Sequence, residues 1–148
     1  MRVLLSLAAS ALAANVTLKI ESNDTRFNGK GLASVEFSDS IYGVLISNDL
    51  WGYEELSRNH GIYNFINERT LILCQDFDQF VFRYGIYRDN MTYVSGDYLT
   101  YRELDNAFYA CKSLPYDPLN YTSRGYYGLR PFLESAPDDC TPVKIRVL

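Results

Sequence analysis

Apolar side chains recur at every second position through most of this chain, in short runs separated by turn-forming clusters. Successive side chains of an extended strand point to opposite faces, so alternation builds one apolar and one polar face; a helix needs a period near 3.6. Val16, Leu18 and Ile20 share one face, with Thr17 and Lys19 on the other. The same pattern marks strands over Leu32 to Phe37, Ile41 to Ser47, Ile62 to Ile66, Leu71 to Gln75 and Gln79 to Tyr87. It continues through Met91 to Val94, Tyr98 to Tyr101, Ala107 to Cys111, Tyr126 to Leu129 and Val143 to Val147. Between them fall Asn28-Gly29, Ser38-Asp39-Ser40, Asn67-Glu68, Asp89-Asn90 and Ser95-Gly96-Asp97, residues that turn a chain. Roughly a dozen short strands at regular spacing predict an all-β fold, a small closed barrel or β-trefoil-like domain of antiparallel strands with little helix. Asn48 to Leu56 opens with a plausible cap, but Gly52 sits mid-run at ~1 kcal/mol against alanine. One short helical turn is expected there and another over Tyr101 to Leu104.

With 148 residues, the chain is long enough for one domain that buries roughly two-thirds of its unfolded surface. Thirteen tyrosines and eight phenylalanines supply too much apolar area for a disordered chain. The formal charge of −4 and the lack of a basic run give phosphates nothing to hold, which argues against nucleic acid as a partner.

The first residues set a single cation, Arg2, before an apolar run that ends in Ala11-Leu12-Ala13. That is the layout of a secretory leader with a small-residue cleavage site. A leader over residues 1–13 and one globular β domain over 14–148 are expected. The apolar run stops at Asn15, short of the ~20 residues a membrane span needs. Asn15, Asn23, Asn90 and Asn120 each open an N-x-Thr sequon, so a secreted, extracellular or cell-wall glycoprotein is expected. The end of the chain, Pro142 to Leu148, carries Lys144 and Arg146 where a GPI signal needs an apolar tail.

Three cysteines permit one bridge. Cys111 and Cys140 flank the stretch Ser113 to Pro137, where Pro115, Pro118, Pro131 and Pro137 restrict the backbone to loops and edge strands. Their bridge would close a loop of about 30 residues, worth ~3–4 kcal/mol in the chain-entropy picture. Cys111–Cys140 is favoured ahead of Cys74–Cys111, because Cys74 sits in Leu71-Ile72-Leu73-Cys74, where cysteine acts as a small buried hydrophobe.

Catalytic chemistry finds little support. The single histidine, His60 in Arg58-Asn59-His60-Gly61, reads as a turn residue, and no zinc spacing or G-x-S-x-G elbow accompanies it. Asp76-Phe77-Asp78 reads as a solvated turn between strands before it reads as an acid/base or cation pair. No cofactor, no metal and no catalytic residue is expected. Trp51 with Tyr53, and the cluster Tyr121, Tyr126 and Tyr127, offer flat apolar faces on which sugars stack. Tyrosine is also a favoured strand residue, so core packing competes with that assignment.

The leader, Val16-Thr17-Leu18-Lys19-Ile20, Phe27-Asn28-Gly29-Lys30-Gly31-Leu32, Ala107-Phe108-Tyr109-Ala110-Cys111 and Cys140-Thr141-Pro142-Val143-Lys144-Ile145 together resemble small fungal cell-wall mannoproteins, the yeast surface proteins repressed during hyphal development. The resemblance implies a secreted, glycosylated wall or surface component without known catalytic residues. Those proteins end in a Ser/Thr-rich tail and a GPI signal, and neither is expected from the pattern of Pro142 to Leu148. The expected function is therefore a non-enzymatic surface or cell-wall protein with a structural or interaction role, whose partners are cell-wall polysaccharide or other surface proteins. The alternative is a secreted lectin-like carbohydrate-binding module, and behind it a carboxylate-based hydrolase.

Overall fold

A computed structural model describes residues 13–85 and 88–148. The twelve strands among the described residues are β1 (Ala13–Glu21), β2 (Gly31–Ser38), β3 (Ile41–Ser47), β4 (Gly52–Leu56), β5 (Ile62–Ile66) and β6 (Arg69–Asp76), followed by β7 (Gln79–Arg83), β8 (Thr92–Ser95), β9 (Tyr98–Tyr101), β10 (Phe108–Cys111), β11 (Gly128–Pro131) and β12 (Cys140–Val147). Two short 3-10 turns, Arg88–Asn90 and Thr122–Arg124, are the helical elements among the described residues. The fold is all-β, as the alternation predicts. The leader expected over residues 1–13 lies outside the described residues except for Ala13, which pairs with Leu56 at the start of β1. The last two residues of the run Gln79 to Tyr87 also lie outside them.

Antiparallel pairing closes nine strands into a barrel, in the order β1-β4-β5-β6-β7-β3-β11-β10-β12 and back to β1. The strands also divide into three successive sets, β1–β4, β5–β8 and β9–β12. In each, the middle two strands form a hairpin and the outer two lie side by side. β1 pairs with β4 and β9 with β12, while β5 meets β8 near the Val94 N–H that donates to the His60 carbonyl at 2.8 Å. The three hairpins come together at one end, where β3 pairs with both β7 and β11 and β7 lies against β11. This is the β-trefoil-like arrangement.

The core repeats with the units. Leu18, Ile62 and Leu99 come from the first strand of each set, and Val44, Phe82 and Leu129 from the third; all are almost wholly buried in one cluster. Period-two alternation aims these residues inward, and the closed ring lets their faces meet with no free inner edge.

Two expected helical turns are strand and hairpin instead. Gly52–Leu56 is β4, held by five register partners on β1 from Ala13 to Thr17; pairing along a whole strand outweighs the weak helical preference of a run interrupted by glycine. Tyr101 and Leu104 exchange backbone hydrogen bonds at 2.9 and 3.0 Å. Arg102 and Glu103 between them lie at φ 50° and 68°, the left-handed pair that a two-residue hairpin turn demands.

Cys111 and Cys140 face each other on β10 and β12, with sulfurs at disulfide distance, 2.09 Å. The pair favoured from the sequence is the one that the fold sets at that distance. The stretch it closes is fixed to the barrel along its length. Gln79 is fully buried, donates to the Tyr116 carbonyl at 2.9 Å and accepts from the Tyr116 N–H at 2.7 Å. Leu114 packs with Phe37 and Leu45, and the Tyr116 hydroxyl bonds Ser38 at 2.7 Å.

Cys74 is free and fully buried with Ile72, Val81 and Met91. Burial pushes its thiol up to about 12, because a thiolate there would lose its hydration. Native protein at pH 8 is therefore expected to take up no iodoacetamide, and urea-unfolded protein one equivalent. Prompt alkylation of the native protein would contradict this placement.

Candidate functional site

A groove with an aromatic wall lies beside the β2–β3 hairpin, with a volume of about 500 Å³. Its floor is strand: Ala33 and Val35 of β2, Leu45 and Ile46 of β3. One wall is the β1–β2 connection with Arg26, Phe27 and Lys30; the other is the disulfide-closed stretch with Tyr121, Tyr126 and Tyr127. The β3–β4 connection closes one end with Asn48 and Asp49. It sits close because of Gly31, where a Cβ would lie 2.2 Å from the Asp49 carbonyl oxygen.

Each wall is held by local chemistry. The Asp117 carboxylate accepts from the backbone N–H groups of Tyr121 and Thr122, both at 2.9 Å, and from the Thr122 hydroxyl at 2.6 Å. Burial works to raise the Asp117 pKa, but the hydrogen bonds from Thr122 and Tyr121 outweigh it and hold the carboxyl below its usual value. This capped turn leads into Thr122–Arg124 and ends at Gly125, whose φ of 96° is open to glycine and strained for other residues. The ring of Tyr121 stacks on Phe37 at 5.7 Å and meets the edge of Tyr126 at 5.8 Å. The Arg124 guanidinium lies 4.5 Å from the Tyr121 ring centre.

Across the groove, Tyr127 sets its edge against Phe27 at 4.9 Å and its carbonyl accepts from the Ile46 N–H at 2.9 Å. Arg26 reaches the Tyr127 hydroxyl at 3.2 Å and is paired with Asp24 at 2.6 Å. Lys30 donates to the Asn48 side-chain oxygen at 2.6 Å. The result is a trough with tyrosine rings on one side and amide, carboxylate and cationic groups within its length.

Of the residues singled out for stacking, Tyr121, Tyr126 and Tyr127 come together, and Tyr126 is 50% exposed. Trp51 is exposed on the β3–β4 connection but does not line the groove. Tyr53 is a correction: it is a core residue, 3% exposed, stacked on Phe82 at 5.1 Å with its hydroxyl donating to the Leu32 carbonyl at 2.6 Å. As part of β4 it sits opposite Val16 of β1, so strand pairing places it inside. Arg26, Lys30, Asn48 and Asp49 are the residues sequence reasoning did not assign to a site. The run Asn28-Gly29-Lys30-Gly31 reads as a turn and Asn48-Asp49 as a helix cap, and neither reading reveals that they meet the late tyrosines.

The other candidates fall elsewhere. His60 is an exposed turn residue at φ 57°, bonded to Glu55 at 3.0 Å. Asp76 pairs with Arg83 and Phe77-Asp78 form the β6–β7 turn. Among the described residues no group of three or more His, Cys, Asp and Glu side chains is placed to hold a metal ion, and no helix is long and apolar enough to cross a membrane. Asn15, Asn23 and Asn120 are exposed, and Asn90 is half-buried at the end of its 3-10 turn. Comparison with protein-family models, with curated proteins and with solved structures returns no match.

Proposed function

We propose that the protein is a secreted, N-glycosylated, non-enzymatic domain of a fungal surface or cell wall, and that its interaction role is saccharide binding in the tyrosine groove. One observation carries the reading: three tyrosines converge with Arg26, Lys30, Asn48 and Asp49 in a trough of about 500 Å³. A pyranose ring has an apolar C–H face and a rim of hydroxyls. The face packs on an aromatic ring while the rim trades water for amide, carboxylate and ammonium groups. The volume falls in the range of small-ligand sites. An open trough of this kind orders few groups and leaves the ligand partly wet, which suits weak binding, with Kd on the order of 1 mM for a single sugar unit. Wall polysaccharide, which repeats its units, is the partner this affinity serves best, because repeated weak contacts add through effective concentration.

A glycan array probed with the purified domain, followed by titration calorimetry, tests the reading. Tyr126→Ala removes an exposed stacking face and leaves the core untouched. It is expected to weaken saccharide binding about tenfold, or ~1.4 kcal/mol, with an unchanged melting temperature. An array with no bound saccharide, or full affinity in the Tyr126→Ala variant, would remove the groove from consideration.

A further inference from the structure

We propose that the N-glycan on Asn120 folds back over the tyrosine groove, its core N-acetylglucosamine pair competing for the site that external saccharide uses. The proposal rests on the saccharide reading of that groove and adds an occupant and a control to it.

Asn120 immediately precedes Tyr121 of the groove wall, so its Cα is ~3.8 Å from that of Tyr121 across the peptide bond. It occupies a left-handed turn, φ 57°, with its N–H donating to the Asp117 carbonyl at 3.1 Å. Asparagine is one of the few side chains that tolerates this conformation. Its side chain is exposed. The turn beneath it is rigid: Asp117 grips Tyr121 and Thr122, and the Tyr121 ring is stacked on Phe37. A glycan rooted here starts one residue from the groove wall.

The other sequons lack this relation. Asn15 lies on β1 opposite Glu54, and Asn90 is half-buried at the end of a 3-10 turn. Asn23 opens onto a separate crevice with Glu21, Ser22, Asn28 and Asn106. The attachment itself is ordinary group transfer. The Asn120 amide nitrogen attacks the anomeric carbon of a polyprenyl-diphosphate-linked oligosaccharide, the N–C bond forms as the C–O bond to diphosphate breaks, and the amide proton is lost.

The magnitudes support competition over permanent blockade. A short flexible tether holds its ligand at an effective concentration in the mM range, close to the ~1 mM Kd suited to one sugar unit in an open trough. The groove is then about half covered, and external saccharide binds about two- to five-fold more weakly than to the bare site.

Three forms of the secreted protein decide this: the glycosylated chain, the Asn120→Asp variant and an Asn23→Asp variant as control. Aspartate keeps the left-handed turn and cannot carry the glycan. Peptide mass spectrometry reads occupancy of Asn120, and calorimetry with free N,N′-diacetylchitobiose, the soluble counterpart of the glycan core, reads the groove. The expected result is occupied Asn120, chitobiose binding to Asn120→Asp, and binding about two- to five-fold weaker in the glycosylated chain and in Asn23→Asp. An unmodified Asn120, or equal affinity in all three forms, overturns the proposal. Binding of wall polysaccharide but not chitobiose by Asn120→Asp also overturns it, while leaving the saccharide reading intact. An array with no bound saccharide together with chitobiose inert toward all three forms removes both.

Discussion

Replacing Cys111 with serine is expected to lower the unfolding free energy by ~2–5 kcal/mol and to weaken the saccharide binding proposed for the groove. Cys111 and Cys140 stand directly opposite on paired strands and close a loop with a sequence separation of 29. In the unfolded chain the bridge removes the freedom of that whole loop, so its loss favours the unfolded state. The native state loses little at first. Leu114, the two Gln79–Tyr116 hydrogen bonds and the Asp117 turn still hold the stretch to the barrel. Urea unfolding should therefore show a lower midpoint together with a steeper dependence on urea, since an uncrosslinked denatured chain exposes more surface. Binding suffers through the same element: Tyr121, Tyr126 and Tyr127 lie inside the closed loop, and a wall that opens locally spends less time in the competent geometry. The Cys111→Ser/Cys140→Ser double variant avoids a stray thiol and should behave alike. Equal midpoints in the wild-type and double variants would mean the sulfurs are not bridged.

Much of this architecture is legible residue by residue because its determinants are local. Val16, Leu18 and Ile20 announce a strand within five residues, and β1 buries them as the alternation requires. The pairing of Cys111 with Cys140 follows from what they flank. The failures share a cause. Asn48 to Leu56 reads as a capped helical turn within its own window, but its partners on β1 lie some forty residues earlier in the chain, and no window that short contains them. Tyr53 misleads for the same reason, since a tyrosine looks equally suited to a sugar platform and to a core, and only the register opposite Val16 decides. The groove divides along this line too. Its tyrosines are neighbours in sequence and stand out as a cluster. Arg26, Lys30, Asn48 and Asp49 arrive from the first unit of the barrel, and ring closure brings them there.

Phe80→Ala is expected to destabilise the protein by ~3–5 kcal/mol, the range for emptying a buried phenylalanine site. Phe80 on β7 is fully buried, stacked on Phe108 of β10 at 4.9 Å and met by the edge of Tyr101 of β9 at 5.5 Å. It thus joins the second unit of the barrel to the third, and its removal takes contacts from both. A closed ring resists collapse into the cavity, because every strand is held by neighbours on two sides, so the penalty should fall toward the upper end. Against a typical total of about 5–15 kcal/mol, this is a large share. Phe65 provides the contrast on the same chemistry: it lies on β5 at 63% exposure, and Phe65→Ala should shift stability by no more than ~0.5 kcal/mol. Urea unfolding of the two variants side by side measures the difference directly, and equal values would refute the inward orientation of Phe80. Where both variants remain folded, the affinity proposed for saccharide should match the wild type, because neither phenylalanine lines the groove. Loss of binding in folded Phe80→Ala would instead mean that the core and the groove move together, with Gln79, which adjoins Phe80 and grips Tyr116, as the link between them.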